Sequence, residues 1–221
     1  MSIGTNYNAV RAKNSLKEPV NGKRQQALVP FKKDTNMKLY GSATSPFVRH
    51  CRIALIQGNL DFEFVSVDFV QSATQSPTKK VPFFEDGAIR LTDSCSIVKY
   101  AREKAGGVFF PDVTDYDLFC MANTGIDAAI NLFLLTNEGF DIGESKYLTR
   151  QGKRVESALD ALNEAVGANP SELTDGLIRV GCLVEWGLFR NRFDIDSRPN
   201  LQALLAMANQ DAAFSGTAIP A

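Results

Sequence analysis

Histidine is almost absent from this chain, whose 221 residues include only His50. The four cysteines are separated by 44, 25 and 62 residues, so no two of them form a CxxC motif; they are Cys51, Cys95, Cys120 and Cys182. A structural zinc site and a histidine-dependent catalytic triad are therefore not expected. Thiols scattered in this way are typical of small buried side chains in an intracellular protein and not of a disulfide framework.

Strong net charge and long apolar runs are missing as well. The formal net charge is −1, which gives no reason to expect nucleic acid as a partner. No uninterrupted apolar run approaches the roughly 18 residues that span a bilayer. Residues 1–10 lack the apolar stretch of a secretory signal. We therefore expect a cytoplasmic protein with no membrane span.

Residues 1–36 differ from the rest of the chain in charge. They carry seven lysines and arginines against two acidic residues, a net +5, whereas the remainder of the chain carries −6. The segment has no sustained helical or strand periodicity, and we interpret it as a flexible basic extension. A targeting peptide and a true chain start at Met37 are the alternatives.

Between residues 37 and 105 the periodicities of strands and helices alternate. The predicted elements are a strand at 38–41, a helix at 46–57, a strand at 62–67, an irregular or short helical stretch at 71–79, a strand at 81–85, a return strand at 88–91 and a helix at 93–105. Asp86 and Gly87 form the hairpin turn. Ser45 and Pro46 give the first helix a hydroxyl N-cap and a proline in its first turn. This order predicts a small α/β domain.

From residue 115 onward the pattern is helical, with no convincing strand. Apolar residues spaced three and four apart predict helices around residues 118–133, 155–166, 177–189 and 201–208. The segment 177–189 is apolar on most faces, so we expect it at the centre of its domain. The sequence therefore predicts α/β plus all-α architecture: an α/β domain at 37–105, a linker at 106–114 and a helical domain at 115–221.

Three motifs resemble those of the glutathione transferase superfamily, in its bacterial-type branch with a serine in a Ser-Pro-Phe motif. They are residues 39–49 (LYGSATSPFVR), 80–83 (KVPF) and 91–100 (LTDSCSIVKY), and the tail at 198–220 is similar to the family's ending. The resemblance covers residues 37–220. It implies an N-terminal thioredoxin-like domain followed by a C-terminal helical bundle, with glutathione as co-substrate and a homodimeric assembly.

Glutathione conjugation requires the thiolate, because the thiol is a poor nucleophile. Ser45 combines a hydroxyl donor with the start of a helix, and both favour an anion nearby. We therefore predict that Ser45 is catalytic and donates a hydrogen bond to the sulfur. Thr44 and Tyr40 are alternative donors, although Tyr40 is expected to pack in the core. Redox branches of the family carry a cysteine where this chain has Ser45.

The resemblance further implies a glutathione-binding set, consisting of Ser45, Phe47, Lys80, Val81, Pro82, Asp93 and Ser94. A cis bond at Val81–Pro82 would present the Val81 backbone to an extended peptide. Lys80, with Lys79 as its rival, would meet the glycyl carboxylate. Asp93 would meet the γ-glutamyl ammonium and Ser94 the γ-glutamyl carboxylate, at a helix start that Asp93 also caps.

Several positions depart from the family's pattern. Ser76 stands where many relatives have asparagine, and Asp93 stands where many have glutamate. Glu172 takes the place of the serine or threonine that usually caps a buried aspartate, here Asp175, with Thr174 adjacent. These departures put the usual cap in doubt, and they shorten the expected ammonium contact by one methylene.

Three further expectations concern residues outside that set. His50 is expected at the surface or at a dimer edge, and Cys51 in the core. The electrophile pocket is expected between the domains along the helix that contains residues 115–137, with Asn131, Leu132 and Phe133 as its candidate lining.

The sequence thus predicts a glutathione S-transferase that conjugates the thiolate of glutathione to a small hydrophobic electrophile, as in detoxification. No metal is expected. Two rival functions use the same fold. One is a non-catalytic binding or regulatory protein resembling the stringent starvation proteins, with the basic extension as a contact arm. The other is a glutathione-dependent peroxidase or reductase.

Overall fold

A computed structural model describes residues 36–220 of the chain, except residues 169 and 171. The predicted basic extension, residues 1–36, lies outside this part of the chain apart from its last residue.

The N-terminal part is a four-stranded mixed sheet with helices packed against it. Its elements are β1 (Met37–Gly41), α1 (Pro46–Gln57), β2 (Glu63–Ser66), α2 (Phe69–Gln75), β3 (Phe83–Asp86), β4 (Ile89–Leu91) and α3 (Ser94–Lys104). The strand order is β2-β1-β3-β4; β1 runs parallel to β2 and antiparallel to β3, which pairs with β4 as a hairpin. The predicted order of strand, helix, strand, hairpin and helix is confirmed.

Two elements differ from their predicted bounds. β3 begins at Phe83, two residues later than predicted, because Pro82 has no N–H to donate to a strand ladder. The stretch predicted as irregular or helical at 71–79 is helix α2, which begins earlier at Phe69. Asp68 and Gln71 form a capping box there, in which the side-chain oxygen of each residue accepts a hydrogen bond from the backbone N–H of the other.

Helix α1 is buried on two sides, which explains why eight of its twelve residues are buried. One side contributes Val48, Cys51 and Leu55 to the core formed with β1, β3 and α3. The other side places Ile53 in a second cluster with apolar residues of the C-terminal part of the chain, such as Phe214. At the end of β1, a Cβ on Gly41 would overlap the Val48 side chain, so glycine permits this close approach of strand and helix.

The C-terminal part is helical, and no strand occurs among its described residues. Its helices are α4 (Val113–Asn137), a short 3-10 turn (Ile142–Glu144), α5 (Lys146–Val166), α6 (Asp175–Phe189), α7 (Pro199–Ala208) and α8 (Ala212–Ser215). Twelve of the fifteen residues of α6 are buried, which confirms its predicted central position. α6 packs against α4, α7 and also α1, so it connects the helical part to the sheet-containing part.

Helix α4 is long and apolar enough to cross a membrane by length and composition. The helix meets this test by mean hydropathy and not through an uninterrupted apolar run, because Asp115, Asp117 and Asp127 lie within it. Its apolar character has a structural use here: Phe119, Ala122, Ile126 and Ala129 are buried at helical spacing, and the helix packs against α5 and α6.

Candidate functional site

Ser45 caps the N-terminus of α1, as predicted. Its backbone is extended (φ −79°, ψ 127°), and its Oγ accepts a hydrogen bond from the Val48 N–H at 3.4 Å. A serine hydroxyl that accepts in this way keeps its own proton for donation to another group. The capping role and the predicted donor role of Ser45 are therefore compatible.

The two alternative donors have other partners. The Thr44 and Ser42 hydroxyls lie 3.0 Å apart and hydrogen-bond each other. The Tyr40 hydroxyl donates to Glu85 Oε2 at 2.9 Å, and its ring stacks on Phe83 with centroids 4.4 Å apart. Burial and Glu85 both raise the pKa of Tyr40. Tyr40 packs half-buried on the sheet instead of in the core, and its proton is already committed to a carboxylate.

A small cleft of about 70 Å³ lies where α1, β3, α3 and α4 meet. Its lining residues are Phe47, Lys80, Val81, Pro82, Thr92, Asp93, Ser94, Asn123 and Asp127. Six of the seven predicted site residues are in this lining. The seventh, Ser45, lies two positions before Phe47 at the same helix start. The Val81–Pro82 peptide bond is cis, as the resemblance implied.

Charges of both signs face the cleft. Lys80 Nζ lies 3.8 Å from Asp93 Oδ2, and the two side chains are 60% and 57% exposed, so this ion pair contributes little to stability. Lys79, the rival of Lys80, does not line the cleft. Burial raises the pKa of Asp127, while Lys80 and Arg179 act in the opposite direction. The cleft is thus suited to a ligand that carries both an ammonium and a carboxylate.

The first turn of α3 forms one wall of the cleft. Asp93 caps this helix, with Oδ1 accepting from the Cys95 N–H at 2.8 Å, while its Oδ2 faces Lys80. Ser94 is buried, and its Oγ accepts a hydrogen bond from Arg179 Nη2 at 3.2 Å. Helix starts present unpaired N–H groups and a positive partial charge, which favour an anion.

Sequence reasoning missed the contribution of α4 to the cleft. Asn123 and Asp127 lie one helical turn apart and both line it. The signal was present, because Asp127 is the only charged residue between positions 118 and 137. Asn131, Leu132 and Phe133, which were predicted to line the electrophile pocket, lie further along α4. They line neither this cleft nor a second, larger cavity beside the first turns of α4. Leu132 is in the core, and Phe133 packs edge-on against Trp186.

A larger cavity of about 380 Å³ lies beside the first turns of α4, next to the end of α5 and the start of α6. Leu118, Met121 and Leu177 give it apolar walls, and Asp112 and Asp117 lie at its polar side. It shares no lining residue with the cleft.

His50 is fully buried, so the prediction of a surface or dimer-edge histidine is wrong. The residue lies on the side of α1 that faces α6, and its Nε2 is 3.0 Å from Asp175 Oδ1. Burial, with help from the Arg179 charge, lowers the pKa of His50 to about 4. The neutral ring donates from Nε2, and a carboxylate thereby satisfies a polar group inside the fold.

Two further expectations concern Cys51 and the cap of α6. Cys51 is fully buried in the core, as predicted, and burial raises the pKa of its thiol. The doubt about the cap of α6 is removed by Thr174, which accepts from the Leu177 N–H at 3.3 Å and donates to Asp115. Thr174 takes this role itself, so Glu172 is not needed as a cap.

Among residues 36–220 other than 169 and 171, no cluster of metal-ligating side chains occurs.

Comparison with known sequences supports the resemblance over the N-terminal part. The family model for the glutathione S-transferase N-terminal domain matches residues 39–109. Glutathione S-transferase F7 of Arabidopsis thaliana is 37% identical over 71 residues, which are 29% of this chain and 34% of that protein. Glutathione S-transferase 1 of Zea mays is 35% identical over 75 residues, 31% of this chain and 35% of that protein. The chain thus matches about a third of the length of these relatives.

Comparison with solved structures extends to most of the described chain. A glutathione S-transferase from Methylobacillus flagellatus with glutathione bound superposes with a TM-score of 0.73 at 23% identity, covering 83% of this chain and 100% of that one. One from Methylobacterium radiotolerans in complex with glutathione sulfonate gives 0.74 at 24% identity, covering 83% and 94%. Maleyl pyruvate isomerase, a bacterial glutathione S-transferase of the Zeta class, gives 0.69 at 19% identity, covering 82% and 96%.

The class of protein follows from these findings. The described chain has the glutathione S-transferase fold, a thioredoxin-like domain followed by a helical domain, and the predicted fold class is confirmed. Residues 39–109 match the N-terminal domain of the glutathione S-transferase superfamily, in agreement with the resemblance.

Proposed function

We propose that this protein is a glutathione S-transferase that binds glutathione in the cleft and conjugates its thiolate to a small hydrophobic electrophile. The observation that carries the proposal is the cleft itself. It brings six predicted binding residues together and sets two acidic side chains and a lysine beside the start of a helix. Glutathione carries complementary groups, one ammonium and two carboxylates on an extended peptide.

The ligand's charged ends have natural partners in this arrangement. Asp93 and Asp127 are suited to the γ-glutamyl ammonium, and Ser94 at the start of α3 is suited to the γ-glutamyl carboxylate. Lys80 would exchange its weak pairing with Asp93 for the glycyl carboxylate. The Val81 backbone N–H and C=O would pair with the cysteinyl residue as a strand edge does.

Thiolate formation is assigned to Ser45 and the start of α1. Lowering a thiol pKa by two units requires about 2.7 kcal/mol of preference for the anion. One hydrogen bond to a charged group and one helix N-terminus supply energy of this size. Reduction by a protein thiol is less well supported, because the cysteine of α1, Cys51, is fully buried and its burial raises the pKa of its thiol.

The proposal also includes a homodimeric assembly and a role in detoxification, which rest on the resemblance alone. It includes a cytoplasmic location, which rests on the expectation drawn from the sequence. The larger cavity at the start of α4 has apolar walls, but it does not adjoin the cleft through any shared lining residue.

The test compares wild type with Ser45→Ala and, as a matched control, Thr44→Val. Calorimetry measures glutathione binding, ultraviolet absorbance of the thiolate gives the pKa of the bound thiol, and an activated aryl halide reports conjugation. We expect Ser45→Ala to raise that pKa and to slow conjugation by about 10- to 100-fold, and Thr44→Val to change both little. Absence of glutathione binding by wild type at millimolar concentration would contradict the proposed function.

A further inference from the structure

Arg179 is a charged residue on the most buried helix of the protein. Its side chain is 0% exposed. The guanidinium carbon lies 4.5 Å from the centre of the Phe119 ring and 5.1 Å from that of Phe47, and Phe47 lines the cleft. Arg179 therefore reaches from α6 to a position directly behind the cleft wall.

The guanidinium is incompletely paired. Nη2 donates to Ser94 Oγ at 3.2 Å, but Nε and Nη1 have no hydrogen-bond partner among the described residues. No carboxylate forms a salt bridge with it in that part of the chain, although Asp93 and Asp127 lie within electrostatic reach. Burying a cation is costly unless an anion compensates it, and stacking on aromatic rings offsets only part of that cost.

Ser94 connects this cation to the cleft. Its hydroxyl accepts from Arg179, so the proton of that hydroxyl is directed to another acceptor. Ser94 is also the first residue of α3, an eleven-residue helix whose start favours an anion. Two independent features, a helix start and an incompletely paired buried cation, thus converge on one side of the cleft.

We infer that Arg179 is a positioning residue that orients the Ser94 hydroxyl and makes this end of the cleft selective for a carboxylate. The inference rests on the proposed function and deepens it, because the carboxylate in question is the α-carboxylate of the γ-glutamyl residue. Arg179 acts through Ser94 and through its charge, and the ammonium of the same residue remains with Asp93 and Asp127.

The test uses two peptides that differ only in that carboxylate: glutathione and 4-aminobutanoyl-cysteinyl-glycine. Calorimetry measures both affinities for the full chain. We expect wild type to prefer glutathione by roughly 10- to 100-fold, the range for a hydrogen bond to a charged group. Arg179→Met is expected to abolish most of this preference by weakening glutathione alone, and Arg179→Lys to retain part of it.

Arg190→Met is the matched control. Arg190 follows the same helix, stacks on Phe133 and Phe189 and also has an unpaired Nε, but it does not line the cleft. Its substitution should leave the preference unchanged. A general loss of packing would weaken the binding of both peptides equally. If Arg179→Met had that effect, the inference would be overturned.

Three outcomes separate the inference from the proposed function. A wild-type preference near one overturns the inference without any variant, so the test does not depend on the folding of Arg179→Met. A preference that persists in Arg179→Met also overturns it and leaves glutathione binding in place. Failure of wild type to bind either peptide overturns the proposed function, and the inference with it.

Discussion

The cleft, with Arg179 behind it, and the junction of α1, α3 and α6 use charged residues in opposite ways. At the junction, α1 and α3 are joined to α6 through a group that we name the seam: Arg49, His50, Arg102, Asp175 and Glu185. Arg102 donates to both oxygens of Asp175, which also accepts from His50. Arg49 Nη1 lies 2.5 Å from Glu185 Oε2, and its Nη2 donates to the Phe214 carbonyl at 3.0 Å.

In the cleft and at Arg179 behind its wall, the charged groups are paired weakly or only in part. The side chains of Lys80 and Asp93 are more than half exposed, and Lys80 Nζ lies 3.8 Å from Asp93 Oδ2. Arg179 has two nitrogens without a hydrogen-bond partner among the described residues. Since a charge withdrawn from water without a partner is costly, a fold that pairs the charges of one cluster and leaves those of its neighbour incompletely paired separates two tasks. The seam stabilises the junction of the two domains, and the cleft keeps its binding capacity for a ligand.

The largest expected effect comes from breaking the seam at its centre. Asp175→Ala removes the carboxylate shared by His50 and Arg102 and leaves the Arg102 charge, which is 15% exposed, without its partner. Removing one partner of a buried ion pair costs about 3–5 kcal/mol. Urea denaturation should therefore give a lower free energy of unfolding by about that amount.

A matched control for Asp175 is an exposed carboxylate that also pairs with an arginine. Asp160 pairs with Arg198 and is 66% exposed, so Asp160→Ala should cost less than about 1 kcal/mol. Equal effects of the two substitutions would mean that the seam contributes no more to stability than a surface ion pair.

The next effect is a pH dependence of stability that originates at His50. Its folded pKa of about 4 lies below the ordinary value of 6.5, so between these values the unfolded chain binds more protons than the folded one. The contribution of neutral His50 to the free energy of unfolding is therefore fully present above pH 6.5, and it is lost as the pH is lowered toward 4. At 1.36 kcal/mol per pKa unit, the loss at pH 5 is about 2 kcal/mol.

The chain contains a single histidine, which makes this effect easy to isolate. Urea denaturation of wild type and His50→Gln at pH 7 and pH 5 gives the comparison, and the variant should lack the histidine-dependent loss. Identical pH dependence in both proteins would show that His50 is not held neutral by the fold.

Local signals were sufficient to predict most of the fold and of the cleft from the sequence. Ser45 and Pro46 define the start of α1, Asp93 the start of α3, and the apolar pattern of α6 its central position. The motifs that resembled the family supplied the cleft residues of the N-terminal part, because those residues are adjacent in sequence to helix starts and to a turn.

The residues that sequence reasoning missed are those whose role depends on packing between distant elements. His50 was expected at the surface or at a dimer edge because its neighbours Arg49 and Arg52 are charged, yet its Nε2 pairs in the interior with Asp175, 125 positions away. Arg179 is the only charged residue between positions 176 and 184, and Asp127 is the only one between positions 118 and 137. An isolated charge in an apolar helix indicates a binding or pairing role for that residue, because burying a charge without a partner is costly in free energy.

A smaller effect is expected from the acidic side of the cleft. Asp127→Asn keeps the size of the side chain and removes the charge that we assign to the γ-glutamyl ammonium. Since a hydrogen bond between charged groups contributes about 1.5–3 kcal/mol and Asp93 shares this ligand group, we expect glutathione to bind about 10-fold more weakly by calorimetry. Asp117→Asn, on the same helix but outside the cleft lining, should bind as wild type does; unchanged affinity in Asp127→Asn would remove α4 from the binding site.

The smallest effect is expected at Lys80, and its size tests how far the cleft differs from the seam. Lys80 is 60% exposed and its pairing with Asp93 is loose, so replacing it loses only the attraction of an exposed charge for a carboxylate, at most about 1 kcal/mol. Lys80→Met should therefore weaken glutathione binding no more than about fivefold at low salt, and the difference from wild type should shrink as added salt screens the charge. Lys79→Met is the control, since that residue does not line the cleft. Lys80→Met could instead weaken binding, independently of salt, by as many kcal/mol as Asp175→Ala lowers the free energy of unfolding. That result would mean that the charges of the cleft are as buried and as tightly paired as those of the seam once glutathione is bound.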